Sequence, residues 1–267
     1  MALAFDYLDR RMLGAVLLTD SLGQSLPESV QISCDDADIW QKKPGELIVR
    51  SARDLDGHDR AFEEPPMLPA IGSQRIDVDI RAGSSSYLSR RFALNLPLDP
   101  DPANKANDNS LFQHQRIVMP PSPSAQVAGG SAALLVRVTR ASDDHAIEGA
   151  VVRVRPSGTL PEVTSLTNAI GEAMLIIAAV PLSSPGAGAT VTSDYAAQVD
   201  AIIDPALIRF HAPEDYFSAL QKAGRRRRDF IDPDDVVSRL SGAATTQQAI
   251  QLASGKTRSA LIEWTPP

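Results

Sequence analysis

The chain predicts a mostly β protein: two tandem β-sandwiches with a short helical insert near the C-terminus. Three observations predict it. Apolar and polar residues alternate in short runs, and proline and glycine, 20 and 16 of 267 residues, cluster between those runs. The opening of the most regular β-rich stretch, 134–180, also recurs in weaker form near the N-terminus. Period-two alternation buries one face of a strand, and Pro/Gly clusters end strands at turns.

The length suits two domains of ordinary size, and 43% hydrophobic with 22% charged residues suits globular folding. A formal charge of -7 argues against general nucleic-acid binding, which needs a positive surface to displace counterions. Cys34 is the single cysteine, so no internal disulfide forms, which fits a reducing compartment. The start, MALAFDYLDRRMLGAVLL, has Asp6 and Asp9 before its apolar run and is unlike a secretory signal. No run approaches the roughly 18 apolar residues that span a bilayer, so no membrane insertion is expected. The expected location is the cytoplasm, or a particle assembled there.

In chain order, the first strands are expected at 12–18, at Val30-Gln31-Ile32-Ser33 and at 45–50. The polar, Pro-rich stretch 52–70 predicts an irregular surface loop. RIDVDIR at 75–81 alternates strictly, with Ile76, Val78 and Ile80 on one face and Asp77 and Asp79 on the other. RRFALNL at 90–96 repeats the pattern with Phe92, Leu94 and Leu96 inward. Residues 1–98 are therefore read as the N-terminal sandwich and 99–130, rich in Pro and Asn, as a linker carrying a short strand at 115–119.

The second sandwich, 131–267, opens with Leu134, Val136 and Val138 alternating. Val152 and Val154, a strand at 164–167, a turn at 168–171, a returning strand at 172–179 and further strands at 190–192 and 195–203 follow. The helical insert spans about 205–253. In 213–228, acids follow Pro213 and four arginines end the run, the charge order that suits a helix dipole. A second helix starts at Asp232-Pro233, and 245–253 is expected as a third short helix or a turn. SALIEW at 259–264 is expected as a terminal strand returning to one of the sheets.

The two openings align: Val16, Leu18 and Thr19 against Val136, Val138 and Thr139, then Leu26 against Ile147, then Val30 and Ile32 against Val152 and Val154. Tandem sandwiches explain the repeat simply. IEGAVVRV at 147–154 and TNAIGEA at 167–173 resemble the carboxypeptidase regulatory-like domains, relatives in shape of transthyretin and the Cna protein B-type repeats. Ile147-Glu148 stands where that family favours proline, and Asn168 where it favours Asp. The resemblance covers about a third of the chain and implies tandem Ig-like/transthyretin-like sandwiches. Gly171 suits a positive-φ turn position and Gly149-Ala150 a close backbone approach. More loosely, the order RRFALNLPLDPDPANKANDNSLFQ, second sandwich, helical insert and LASGKT resembles proteins encoded with phage-tail-like contractile injection particles.

The residues that could carry chemistry each have a plainer reading. His58, His114, His145 and His211 lie far from one another, outside zinc-ligand spacing, and read as exposed loop histidines. Cys34 is flanked by Asp35 and Asp36, whose charges oppose a thiolate, and reads as a small buried filler. Asp99, Asp101 and Asp108 offer oxygens but not the spacing of an EF-hand loop, and read as solvated linker. Gly129-Gly130 and Gly186-Ala187-Gly188 lack the lysine and context of a phosphate loop. Ser84-Ser85-Ser86 reads as a turn between strands, and the Trp and Tyr residues are too dispersed for a sugar platform.

The expectation is a non-enzymatic assembly protein with no catalytic residues, cofactor or metal. Its partners would be other protein subunits of a particle, with a further copy of the chain among the candidates and nucleic acid excluded. The partner-binding residues singled out are Arg225, Arg226, Arg227 and Arg228, with Tyr216 and Phe217 beside them. The alternatives are an adhesin-like module recognising carbohydrate or protein through loops at one sandwich end, and an accessory domain or hydrolase with a distributed site.

Overall fold

The computed structural model describes residues 12–53, 73–99, 101–106, 110, 114–127, 129–178, 194–223, 225–226, 229–245 and 247–266. The fold is mostly β, as expected. One sheet of the first sandwich holds β1 (Gly14–Thr19), β3 (Ala37–Lys43), β4 (Glu46–Ala52) and β7 (Gln115–Val118), in the order β3-β4-β1-β7. The facing sheet holds β2 (Val30–Ser33), β5 (Gln74–Ala82) and β6 (Arg90–Leu96). Val16, Leu18, Leu47 and Val49 from one sheet meet Ile76, Val78, Ile80, Phe92, Leu94 and Leu96 from the other. Each strand buries alternate residues because successive side chains point to opposite faces. Cys34 packs against this core, and burial, then the Asp36 and Asp35 charges, raise its thiol pKa.

The stretch 99–130 is more than the linker its composition suggests. β7 pairs in parallel with β1, and Ile117 and Met119 enter the first core. The prolines beyond it run along the 85–88 turn, where Leu88 N donates to Pro120 O and Ser122 N to Ser86 O. Polar composition hides this, because two buried side chains and a long-range ladder suffice to hold the segment. Asp99 and Asp101 accept from the backbone N–H groups of Asp101 and Ala103, capping a 3-10 turn at Pro102–Asn104.

The second sandwich packs β10 (Val151–Pro156), β11 (Val163–Leu166), β13 (Asp194–Ile202) and β15 (Gln248–Ala253), ordered β11-β10-β13-β15, on a second sheet. That sheet holds β8 (Ala132–Arg140), β9 (Ala146–Glu148), β12 (Glu172–Ile177), β14 (Arg209–His211) and β16 (Thr257–Trp264). Leu134, Val136 and Val138 meet Val152, Val154, Val199, Ala201 and Leu252 in its core. The expected terminal strand is β16, which pairs in parallel with β8. The stretch 245–253, expected as a third short helix or a turn, instead carries strand β15, antiparallel to β13. Ile250 and Leu252 sit two apart, and β13 offers an edge to complete the ladder, which outweighs local preference. The expected strand at 190–192 and most of the loop at 52–70 lie outside the described residues.

Two helices follow β14: α1 (Tyr216–Lys222) and α2 (Pro233–Leu240). Asp232 precedes α2 and its Oδ1 accepts from Asp234 N at 3.1 Å, with Pro233 at the first helical position, as the sequence predicts. Among the described residues no helix is long and apolar enough to cross a membrane.

α2 joins the two sandwiches. Val236 and Ile231 pack on Val151, Leu166 and Ile202, with Leu88 of the first half beside them. The alternation that turns Phe92 and Leu94 inward also turns Arg90 inward, and its side chain is only 2% exposed. Its guanidinium donates to Val118 O at 2.6 Å, Asp232 Oδ1 at 3.2 Å and Asp234 Oδ2 at 2.8 Å. Arg91 N donates to Ile231 O at 2.8 Å. A second junction buries Ala133, Met174 and Ile176 against Leu22, Ala125 and Val127.

Candidate functional site

Between the sandwiches lies a cleft of about 720 Å³. The first half contributes Arg81, Ser84, Ser85 and Ser122, the second half Glu148, Asn168 and Arg209, and Leu220 of α1 lies at the cleft. Pairing of β14 with β9 sets Arg209 opposite Glu148 and His211 opposite Ala146. Glu148 Oε2 then lies 2.7 Å from His211 Nε2 and 3.5 Å from Arg209 Nη1. His211 is thus a half-buried strand residue paired with a carboxylate, a correction to its reading as an exposed loop histidine. Nothing local in the sequence marks β14, which forms only because β9 offers its edge.

This ion-paired row extends to the arginine segment. Arg209 Nη1 lies 2.8 Å from Asp229 Oδ1, and Asp229 Oδ2 accepts from Arg225 N at 3.0 Å and Arg226 N at 2.9 Å. The carboxylate therefore folds the backbone after α1 into a tight turn. The sequence placed the arginines at the C-terminal end of a helix running over 213–228, but α1 ends at Lys222. Ala223 is extended, at φ -59° and ψ 142°, and Asp229 captures the following N–H groups in place of helical carbonyls. Arg225 and Arg226 are exposed on that turn, while Arg227 and Arg228 lie outside the described residues.

α1 itself buries no residue. Tyr216 anchors it: the Arg137 guanidinium carbon stands 5.8 Å from the ring centroid, and Nη2 donates to the phenol oxygen at 2.9 Å. Phe217 is left 75% exposed and Leu220 44% exposed, three positions apart on one face of the helix. Tyr216 and Phe217 thus lie on α1 and Arg225 and Arg226 just after it, in one stretch of chain. Other exposed aromatics sit elsewhere, Trp40 on β3 of the first sandwich and Phe210 on β14, stacked on Trp264.

For chemistry the cleft offers little that is free. Ser122 Oγ donates to Ser85 O and is 2.9 Å from Ser124 Oγ, so these hydroxyls hold the cleft wall together. A separate group, buried Arg153 and half-buried Arg155 about the fully buried Asp200, lies on β10 and β13, where the Arg153 fork meets both carboxylate oxygens at 2.9 and 3.0 Å. It is a structural lock that period-two reading missed. Among the described residues no three His, Cys, Asp or Glu side chains gather as a metal would need.

No family model matches the chain, and no curated protein matches it. Among solved structures it is similar to the Bacillus anthracis TIE protein, with 7% identity and a TM-score of 0.26 over 96% of this chain and 34% of that one. It is also similar to a streptococcal ancillary pilin, with 7% identity and a TM-score of 0.27 over 95% of this chain and 68% of that one. The chain spans about a third of the length of the first of these.

Proposed function

We propose that the protein is a non-enzymatic structural component of a larger protein particle, and that it meets its neighbours through α1 and the turn after it. The observation that carries this reading is α1: a helix with no buried residue that presents Phe217 and Leu220 to solvent beside two exposed arginines. Apolar and aromatic side chains held on a rigid body, with a cationic rim, are what a partner surface anchors on. The second sandwich is read as carboxypeptidase regulatory-like; the positive φ of Gly149 and Gly171, +86° and +75°, suits the turns of that pattern. The particle is read as phage-tail-like and contractile, on the whole-chain resemblance described above, with assembly in the cytoplasm.

Cross-linking mass spectrometry on the native particle tests the reading. Cross-links from residues 216–226 to a second structural protein are expected. A chain that stays monomeric, with no cross-link from that segment in the cells that make it, would end the proposal.

A further inference from the structure

A second groove, of about 600 Å³, opens where the turn after α1 crosses the outer face of β2 and β5. Gln31, Ser33, Asp79 and Arg81 come from that face, and Arg225 and Phe230 from the turn. Strand register explains the first set: Gln31 stands opposite Arg81 and Ser33 opposite Asp79. Asp79 is neutralised within the groove wall, because Arg91 meets its two oxygens at 2.7 and 3.0 Å. Arg81 and Arg225 are different. Both are exposed, and among the described residues neither guanidinium enters an ion pair. Arg81 and Gln31 also line the large cleft, so groove and cleft meet at these two residues.

We infer that this groove binds a carboxylate-bearing, extended segment of a partner protein, with Arg81 and Arg225 as its two anion-binding groups. The inference deepens the contact role proposed above by naming the partner's chemistry. Guanidinium forks recognise carboxylates in two-pronged, charge-assisted bonds. Gln31 and Ser33 add neutral donors and acceptors suited to a peptide backbone, and Phe230 adds an apolar wall. A nucleic acid fits poorly, because Asp77 stands exposed two residues before Asp79 on the same strand face and the whole chain carries -7.

The test is fluorescence anisotropy of the full chain with a labelled, otherwise neutral peptide carrying two glutamates, against its glutamine counterpart. The acidic peptide is expected to bind at low salt and to weaken as salt rises. Its glutamine counterpart, and the variants Arg81→Ala and Arg225→Ala with the acidic peptide, are each expected to bind roughly ten-fold more weakly. Arg258→Ala on β16, far from the groove in the fold, serves as the control and is expected to bind like the parent, with circular dichroism confirming that every variant is folded. Absence of binding by the parent, equal binding of the glutamine peptide, or unchanged binding by both groove variants overturns the inference. So does a single-stranded oligonucleotide that displaces the peptide through the same two arginines. If the peptide fails while cross-links from α1 persist, the groove falls and the assembly role stands; if it binds while those cross-links are absent, the reverse holds.

Discussion

Gly171 shows how much a single residue fixes in the second sandwich. It sits at φ +75° in the turn before β12, where Asn168 Oδ1 accepts from the N–H groups of Ile170 and Glu172. A Cβ there would stand 2.5 Å from Val138 O, a backbone atom of the central strand that cannot move aside. Gly171→Ala should therefore lower stability by more than about 1 kcal/mol, combining a disfavoured φ with a clash, as urea unfolding would measure. Glu46 makes a different kind of contribution. A hydrogen bond from Lys43, assisted by Lys42, outweighs burial and holds its carboxyl below the usual 4.5. A lowered folded-state pKa gives stability that is present above the unfolded value and lost as pH falls through the folded one. Glu46→Gln should thus unfold earlier in urea than the parent near neutral pH, and the gap should narrow as the pH falls through the acid range below the ordinary carboxylate value.

At the scale of elements, α1 and α2 divide the work of the insert. α2 seats Val236 and Ile231 on the second sandwich and caps itself with Asp232, so it is part of the fold. α1 is held by the Arg137–Tyr216 contact and the flanking turns and contributes little to the core. Replacing both Phe217 and Leu220 by serine should then shift stability by no more than about 0.5 kcal/mol in urea unfolding. The same variant should lose the cross-links from residues 216–226, which separates a partner surface from a structural helix.

For the whole molecule the decisive group is Arg90. It is a buried cation that donates to Arg91 O in its own strand, to Val118 O of β7 in the first half and to Asp232 and Asp234 at the start of α2 in the second. Burial, followed after the opposing Arg90 by the nearby Asp234 charge, raises the Asp232 carboxyl pKa. The ion pair bridges the two halves, tying β6 to the start of α2. Arg90→Ala should lower stability by about 1–3 kcal/mol, because it leaves the largely buried Asp232 and Val118 O without their donor, while the exposed Asp234 is solvated by water. Scanning calorimetry should show the parent unfolding in one transition and Arg90→Ala in two, the first sandwich separating from the second. A single transition in both would show that the apolar junctions alone couple the halves.

How much of this was legible beforehand follows from the range of the forces involved. Ile76, Val78 and Ile80, Phe92 with Leu94 and Leu96, and the turn at Gly171 were readable because alternation and turn chemistry act within a few residues. The same local rule turned Arg90 inward, yet no local rule could name Asp232 and Asp234, 142 and 144 residues away, as its partners. β7, β14 and β15 formed where a distant strand offered a free edge, and the helix over 213–228 stopped early because Asp229 captured its next N–H groups. The arginines at 225–228 were singled out from charge order, with Tyr216 and Phe217 beside them, but the meeting of Arg225 with Arg81 required the second half to fold against the first. The sequence by itself determined the mostly β character and the inward faces of the regular strands such as β5, β6 and β8, since these depend on local periodicity and burial. Tertiary structure alone decided the partners, because ion pairs and edge pairings between distant segments exist only once the chain has brought them together.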